Sequence, residues 1–294
     1  MPDILHFLRQ TKHRAFVLHD RARLWWRYRG HVALNDRRWA RAEQRHPFVY
    51  SPGRYPHTFL AQSEPEPTET TSAPADLWAF WLGGELTAPR RASIEQLSLQ
   101  HGLTLRLVTD ADADADEVCV AGYPFHPAYD DLTIVHRTDY LRAYVMHHHG
   151  GVYCDVKPFR HPLRPILDQV NTAPHLMAAA YRETTSEYVP ELGYQLGEDL
   201  KRHYHAVMGV SGFICRPHSR FTAEWMRELT ARMDYYADAL RRADASRSTP
   251  YEQPDDYPIR WSELLGDIIQ PLSLKYNGRV LFTDHMKPVR KNYR

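Results

Sequence analysis

Arg137-Thr138-Asp139-Tyr140-Leu141-Arg142, then His147-His148-His149-Gly150-Gly151-Val152-Tyr153-Cys154-Asp155-Val156-Lys157, is the stretch on which the reading of this chain turns. Asp139 and Arg142 stand three apart, so a helix through them carries an acid and a base on one face. Thr138 or Asp139 can cap that helix, which runs to His149 and stops at Gly150. Val152 to Val156 is a short apolar strand with Asp155 at its end. In open α/β sheets ligands sit beyond the carboxyl ends of the strands, which is where this places Asp155. Gly150-Gly151 lets the chain turn sharply and lets a ligand approach the backbone. Taken alone, the Asp139–Arg142 pair reads as a surface ion pair worth about 0–1 kcal/mol.

Upstream, Leu77-Trp78-Ala79-Phe80-Trp81-Leu82 is an apolar, aromatic run stopped by Gly83-Gly84, as a buried first strand would be. Pro89 opens a helix over Ile94, Leu97 and Leu99 that ends by Gly102, and Leu103 to Val108 alternates as a second strand. Strand, helix, strand in that order predicts a parallel sheet wrapped by helices. Asp110 to Glu117 repeats Asp-Ala, but it lacks the glycine and the final glutamate of a calcium loop and reads as a solvated loop or helix start. Downstream, Ala178 to Tyr181 and Ala206 to Cys215 read as strands. Phe221 to Leu240 and Trp261 to Ile269 read as helices, and Asn277-Gly278 as a turn into Val280-Leu281-Phe282.

The 294 residues suffice for one large or two small domains with an ordinary apolar core. Three segments are expected: a basic helical extension over 1–61, a Pro-rich linker over 62–76, and an α/β domain over 77–294. Apolar positions from Ile4 to Trp25 make residues 3–30 helical, ending near Gly30. The net charge of +1 hides 11 Lys/Arg against 4 Asp/Glu in residues 1–50. That head reads as a solvated basic helix on an acidic body, or as a contact to an anionic membrane or polyanionic acceptor. Three dispersed cysteines form no zinc or redox motif and fit free thiols in a reducing cytoplasm. With no stretch of ~20 apolar residues and no secretion signal, the expected location is cytoplasmic, peripheral at a membrane if the head docks there. The three consecutive histidines point about 100° apart on a helix and cannot all face one ion, so they read as a polar helix end. Serine-hydrolase, Walker and dinucleotide fingerprints are missing.

The D-x-x-R…G-G-x-Y-x-D order resembles the signature of the DXD-containing glycosyltransferases, in the branch spanning capsular-polysaccharide synthesis proteins, mannosyl- and galactosyltransferases, and glucosylating toxins. Beside that spacing, the Asp139–Arg142 pair reads as part of a site. The resemblance implies a GT-A-like fold, a mixed and mostly parallel sheet flanked by helices, that transfers a sugar from a nucleotide-diphospho-sugar (a UDP-sugar foremost) to a glycan or other hydroxyl acceptor, with retention. By the same resemblance Asp139 binds sugar or ribose hydroxyls, Arg142 lies near sugar and diphosphate, and Asp155 is the first Asp of the DXD motif. Gly150, Gly151, Tyr153 and Lys157 then belong to the donor site.

Trp78 to Gly84, followed by Ala88-Pro89, resembles the family's opening strand, with Trp81 as the platform for the base; a core tryptophan is the plainer reading. Met208 to Ile214 resembles its small-residue strand. Tyr257-Pro258-Ile259-Arg260-Trp261 resembles its closing segment, in which Trp261 bonds phosphate. Lys157 replaces the second Asp of the motif. An ammonium about 5 Å from Mn²⁺ or Mg²⁺ is repelled by on the order of 6 kcal/mol at an effective dielectric near ~20. Either Lys157 neutralises the diphosphate itself, or it turns to solvent and Asp155 still helps to hold the ion. Glu183, Asp255, Asp256 and Glu263 are the candidates for a general base. Two other functions stay open: a catalytically weak sugar-nucleotide or glycan-binding module, and a nucleic-acid-modifying sugar transferase, which has little basic-aromatic patterning to support it.

Overall fold

The computed structural model describes residues 29–110, 118–243, 245 and 253–289. Its centre is a six-stranded mixed sheet with strands β1 (Asp76–Trp81), β2 (Thr104–Thr109), β3 (Gly151–Cys154), β4 (Ala178–Arg182), β5 (Met208–Cys215) and β6 (Val280–Phe282), in the order β2-β1-β3-β5-β4-β6. Only β5 runs against the others. The alternation of side chains along each strand divides the core in two. Trp78, Phe80, Tyr153 and Phe213 point to the face covered by α3 (Ile134–His148), α6 (Arg220–Arg242) and α7 (Gly266–Lys275). Leu77, Ala79, Val152, Cys154 and Ile214 point to the other, covered by α2 (Ala88–Ser98) and α4 (Arg164–Thr172). The expected α/β class and the expected strands are therefore present. A further helix, α5 (Tyr194–Arg202), precedes β5.

Three boundaries differ from the sequence reading. Helix α3 begins a turn early, at Ile134 with Thr133 as its flanking cap, because His136 packs on Tyr257 and Arg137 donates from Nε to the Leu132 carbonyl, anchoring the extra turn. Asp139 is thus inside the helix and caps nothing. Helix α7 starts at Gly266 rather than Trp261 and runs through Pro271. Proline cannot donate to the carbonyl four residues back, and Arg232 donates to that Asp267 carbonyl instead, 3.4 Å away. Finally, a helix α1 passes through residues 29–45, so Gly30 does not end it. A glycine inside a helix costs only about 1 kcal/mol. The rest of the expected helix over 3–30 and most of the Asp-Ala repeat lie outside the described residues.

The segment that reads as a linker lies along the body. The buried Lys275 ammonium donates to the carbonyls of Leu60 (3.0 Å) and Gln62 (2.9 Å) and to Glu224 (2.8 Å), while the Glu64 amide donates to Glu224 (3.0 Å). Arg216 donates to the Thr71 carbonyl, and Ala73 and Asn171 exchange two hydrogen bonds of 2.9 Å. Before it, Arg54 grips Asp199 through two nitrogens at 2.6 and 2.7 Å. Among the described residues, no helix is long and apolar enough to cross a membrane.

Candidate functional site

The carboxyl ends of β1 and β3 and the start of β5 open onto a cleft of about 750 Å³, within the ~300–1,000 Å³ usual for small-molecule sites. Asp139, Arg142, Tyr153, Asp155, Lys157, Trp81 and Trp261 all line it. Arg142 is the hub. It donates from Nη1 to Asp139 Oδ1 (2.6 Å), from Nε to the Tyr153 hydroxyl (2.6 Å) and from Nη2 to Asp155 Oδ1 (3.2 Å). Tyr153 donates to the same Asp155 Oδ1 at 2.8 Å. Lys157 folds back to donate to Asp155 Oδ2 at 2.6 Å and to Ser211 Oγ at 3.3 Å, and is only 7% exposed. Acid, base, acid and base therefore alternate along one connected row.

The two carboxyls are tuned in opposite directions. Burial pushes Asp139 up to about 7 against the pull of Arg142, and the charge of Asp155 adds to the rise. Burial alone would raise Asp155 as well, but Lys157 and Arg142 beside it hold it below the ordinary carboxylate value. Arg142, whose charge burial disfavours, is kept protonated by Tyr153, Asp139 and Asp155. The row thus holds one guanidinium kept protonated, one carboxylate kept ionised and one carboxyl raised to about 7. Anionic and hydroxyl-bearing ligands both suit such a row.

Trp81 is half-buried, ties its indole Nε1 to the Gly84 carbonyl at 2.9 Å, and carries the Arg90 guanidinium 5.6 Å from its ring centre. Trp261 also lines the cleft and is 49% exposed. The Asp110 carboxylate accepts from the Gly83 amide at 2.9 Å, fixing the end of β1.

Gly150 and Gly151, expected at the donor site, are not part of the lining. They sit at the opposite end of β3, about 13 Å of strand from Asp155. Their φ angles are +70° and +99°. A Cβ on Gly150 would meet Pro217 at 2.5 Å, and one on Gly151 would meet the Asp76 carbonyl at 2.7 Å. What approaches these glycines is the chain itself, so their part is to close the turn between α3 and β3. None of the four general-base candidates lines the cleft either. Glu183 is buried behind Gln270, Asp255 and Asp256 are exposed, and Glu263 is held by Tyr236 and Arg260.

Sequence reasoning passed over Arg90, Glu187, Tyr188, Glu191 and Gln270, all of which line the cleft, as does Arg260 of the closing segment. Arg90 directly follows the Ala88-Pro89 pair, so one of the five lay beside a segment already singled out. No protein-family model matches this chain, and no curated protein matches it.

Proposed function

We propose that this chain is a glycosyltransferase of GT-A type, moving a sugar from a nucleotide-diphospho-sugar, a UDP-sugar foremost, to a hydroxyl of a glycan or other acceptor. One observation carries this reading: Asp139, Arg142, Asp155 and Lys157 form a single hydrogen-bonded row along a cleft that also presents Trp81 at the end of β1. Each part matches a need of the reaction. The Trp81 ring offers a face for the base. Asp139 accepts from sugar or ribose hydroxyls. Lys157 and Arg142 oppose the charge that develops on the departing diphosphate, an effect strongest in a site that excludes water. Trp261 and Arg260 stand where the diphosphate or the acceptor would be closed over.

A divalent cation fits Asp155 poorly. One carboxylate oxygen accepts from Arg142 and Tyr153, and the other from Lys157. Mn²⁺ or Mg²⁺ would have to displace an ammonium or lie beside it, and like charges there repel. We therefore assign diphosphate neutralisation to Lys157 as a point charge. The saturation of Asp155 equally favours a second reading, a sugar-nucleotide-binding module with little turnover. Release of free sugar from the donor by the purified protein, without acceptor, separates the two.

The test of the function is a thermal-shift series with UDP-, GDP- and dTDP-sugars. A donor at about 100 times its dissociation constant adds about 2.7 kcal/mol of stability. No shift with any sugar nucleotide overturns the reading. For the metal, turnover is compared in EDTA and in Mn²⁺ for wild type and Lys157→Asp. Wild type is expected to work in EDTA, and the variant only with Mn²⁺.

A further inference from the structure

The last turn of α3 carries His147 and His148, and a third imidazole reaches them from far along the chain. His218, in the turn between β5 and α6, brings a ring nitrogen to within 4.8 Å of one on each of the other two, and all three such nitrogens are within that distance of one another. His149, by contrast, turns away to the Val118 carbonyl at 2.8 Å. The objection that neighbouring helical histidines diverge therefore applies to His149. It does not apply to the set of His147, His148 and His218, whose ring centres are 4.8, 4.9 and 5.9 Å apart.

Three further features bear on what the set can hold. His147 Nδ1 lies 3.3 Å from Thr222 Oγ1, and that hydroxyl already gives its hydrogen to the Ser219 carbonyl. With Nδ1 donating to that hydroxyl, Nε2 keeps its lone pair for a metal, an orientation of the kind metal-ligating histidines show. His148 Nδ1 is shielded from solvent and has no hydrogen-bond partner. His218 is exposed and holds φ at +51°, a left-handed backbone that few non-glycine residues adopt. Its amide donates to the His147 carbonyl at 2.9 Å, so the turn is pinned against the helix end that bears the other two rings.

We infer that His147, His148 and His218 form a binding site for a borderline transition-metal cation of the Zn²⁺ class, distinct from the cleft. Three imidazoles with one open position suit Zn²⁺, Co²⁺, Ni²⁺ or Cu²⁺ and not Mg²⁺ or Ca²⁺. Metal–nitrogen bonds of about 2.0–2.1 Å require the rings to close up, and exposed His218 has the freedom to do so. The site is about 12 Å along α3 from Asp139, so this assignment stands or falls apart from the sugar-transfer reading. A bound ion would clip the end of α3 to the turn that leads into α6.

The test uses the full chain stripped of metal. Titration with Co²⁺, read by its visible absorption, should give the bands of a tetrahedral ion at one per chain and at micromolar concentration, and Zn²⁺ should abolish them. His218→Asn, which tolerates the left-handed backbone but offers no imidazole, should weaken Co²⁺ at least about tenfold and remove the rise in Tm on adding Zn²⁺. Should that variant not fold, His148→Gln carries the same expectation. Asp155→Asn should leave the Co²⁺ spectrum unchanged. Absence of tetrahedral bands at millimolar Co²⁺, equal affinity in the histidine variant, or loss of the spectrum in Asp155→Asn overturns the site.

Discussion

The two ends of β3 are built from opposite materials. At its carboxyl end Tyr153, Asp155 and Lys157 carry full charges and hydroxyls into an open cleft, joined through Arg142. At its amino end Gly150 and Gly151 carry nothing, and Pro217 and the Asp76 carbonyl press against the space a side chain would need. One short motif thus lines a cleft at one end and packs the chain at the other. Recurrence of residues within a motif is no evidence that they share a task.

The largest effect that would break this contrast is at Asp155. Asp155→Ala should cut sugar transfer at least about 1,000-fold, on the order of 4 kcal/mol of transition-state stabilisation, with the far-UV circular dichroism of wild type. Retained turnover would place the chemistry elsewhere. Gly151→Ala should do the reverse. A left-handed alanine costs about 1–2 kcal/mol and the clash with Asp76 adds about 1–3 kcal/mol, so urea unfolding should show a loss of about 3 kcal/mol. Nucleotide affinity of the folded protein should be unchanged. A Gly151→Ala protein of full stability and lost affinity would return the glycine to the donor site.

A third test sharpens the charged end. With its carboxyl near 7, Asp139 goes from about one-tenth to about nine-tenths ionised between pH 6 and 8, so kcat/KM should rise about tenfold over that range if the carboxylate binds hydroxyls. The groups acting on it are Arg142 and Asp155, with the Tyr257 phenol nearby. Stability moves the other way. The folded chain holds this proton more tightly than the unfolded chain, so the contribution is complete below the ordinary value of 3.8 and is lost as pH rises through about 7. Asp139→Asn should remove that slope, and a slope that persists would assign it to another group.

The smallest effects compare two tryptophans of one strand. Trp78 donates from Nε1 to the Gly150 carbonyl at 3.1 Å, and Trp81 to the Gly84 carbonyl at 2.9 Å. Trp78→Phe should cost about 1 kcal/mol of stability and leave nucleotide affinity alone. Trp81→Phe should lower affinity a few-fold and leave stability alone. If each variant shifts both quantities, the two ends are not separate.

Much of this was legible in the sequence because it is local. Apolar runs with a glycine pair at one end mark β1 and β3, and the spacing of Asp139 and Arg142 places them on one helical face. What was not legible depends on residues far away. Lys157 turns in to Asp155 with a second acceptor from Ser211, on a strand that runs the other way. The role of Gly151 is decided by Asp76, and the length of α7 by Arg232, whose guanidinium serves the carbonyl that Pro271 leaves free. The cleft wall from Glu187 to Glu191 has no local signal at all, since only the return of β4 to the sheet brings it there.

Lys275, fixed by the carbonyls of Leu60 and Gln62, has a practical consequence for anyone cutting the gene. A fragment starting at the compositional boundary near residue 77 would strip that ammonium of two of its acceptors, Arg216 of the Thr71 carbonyl, and Glu224 of the Glu64 amide. Buried charges left short of partners are among the costliest defects a fold can carry. The smallest expressible unit therefore begins well before the first strand, on the far side of the proline-rich segment that looks like the natural place to cut.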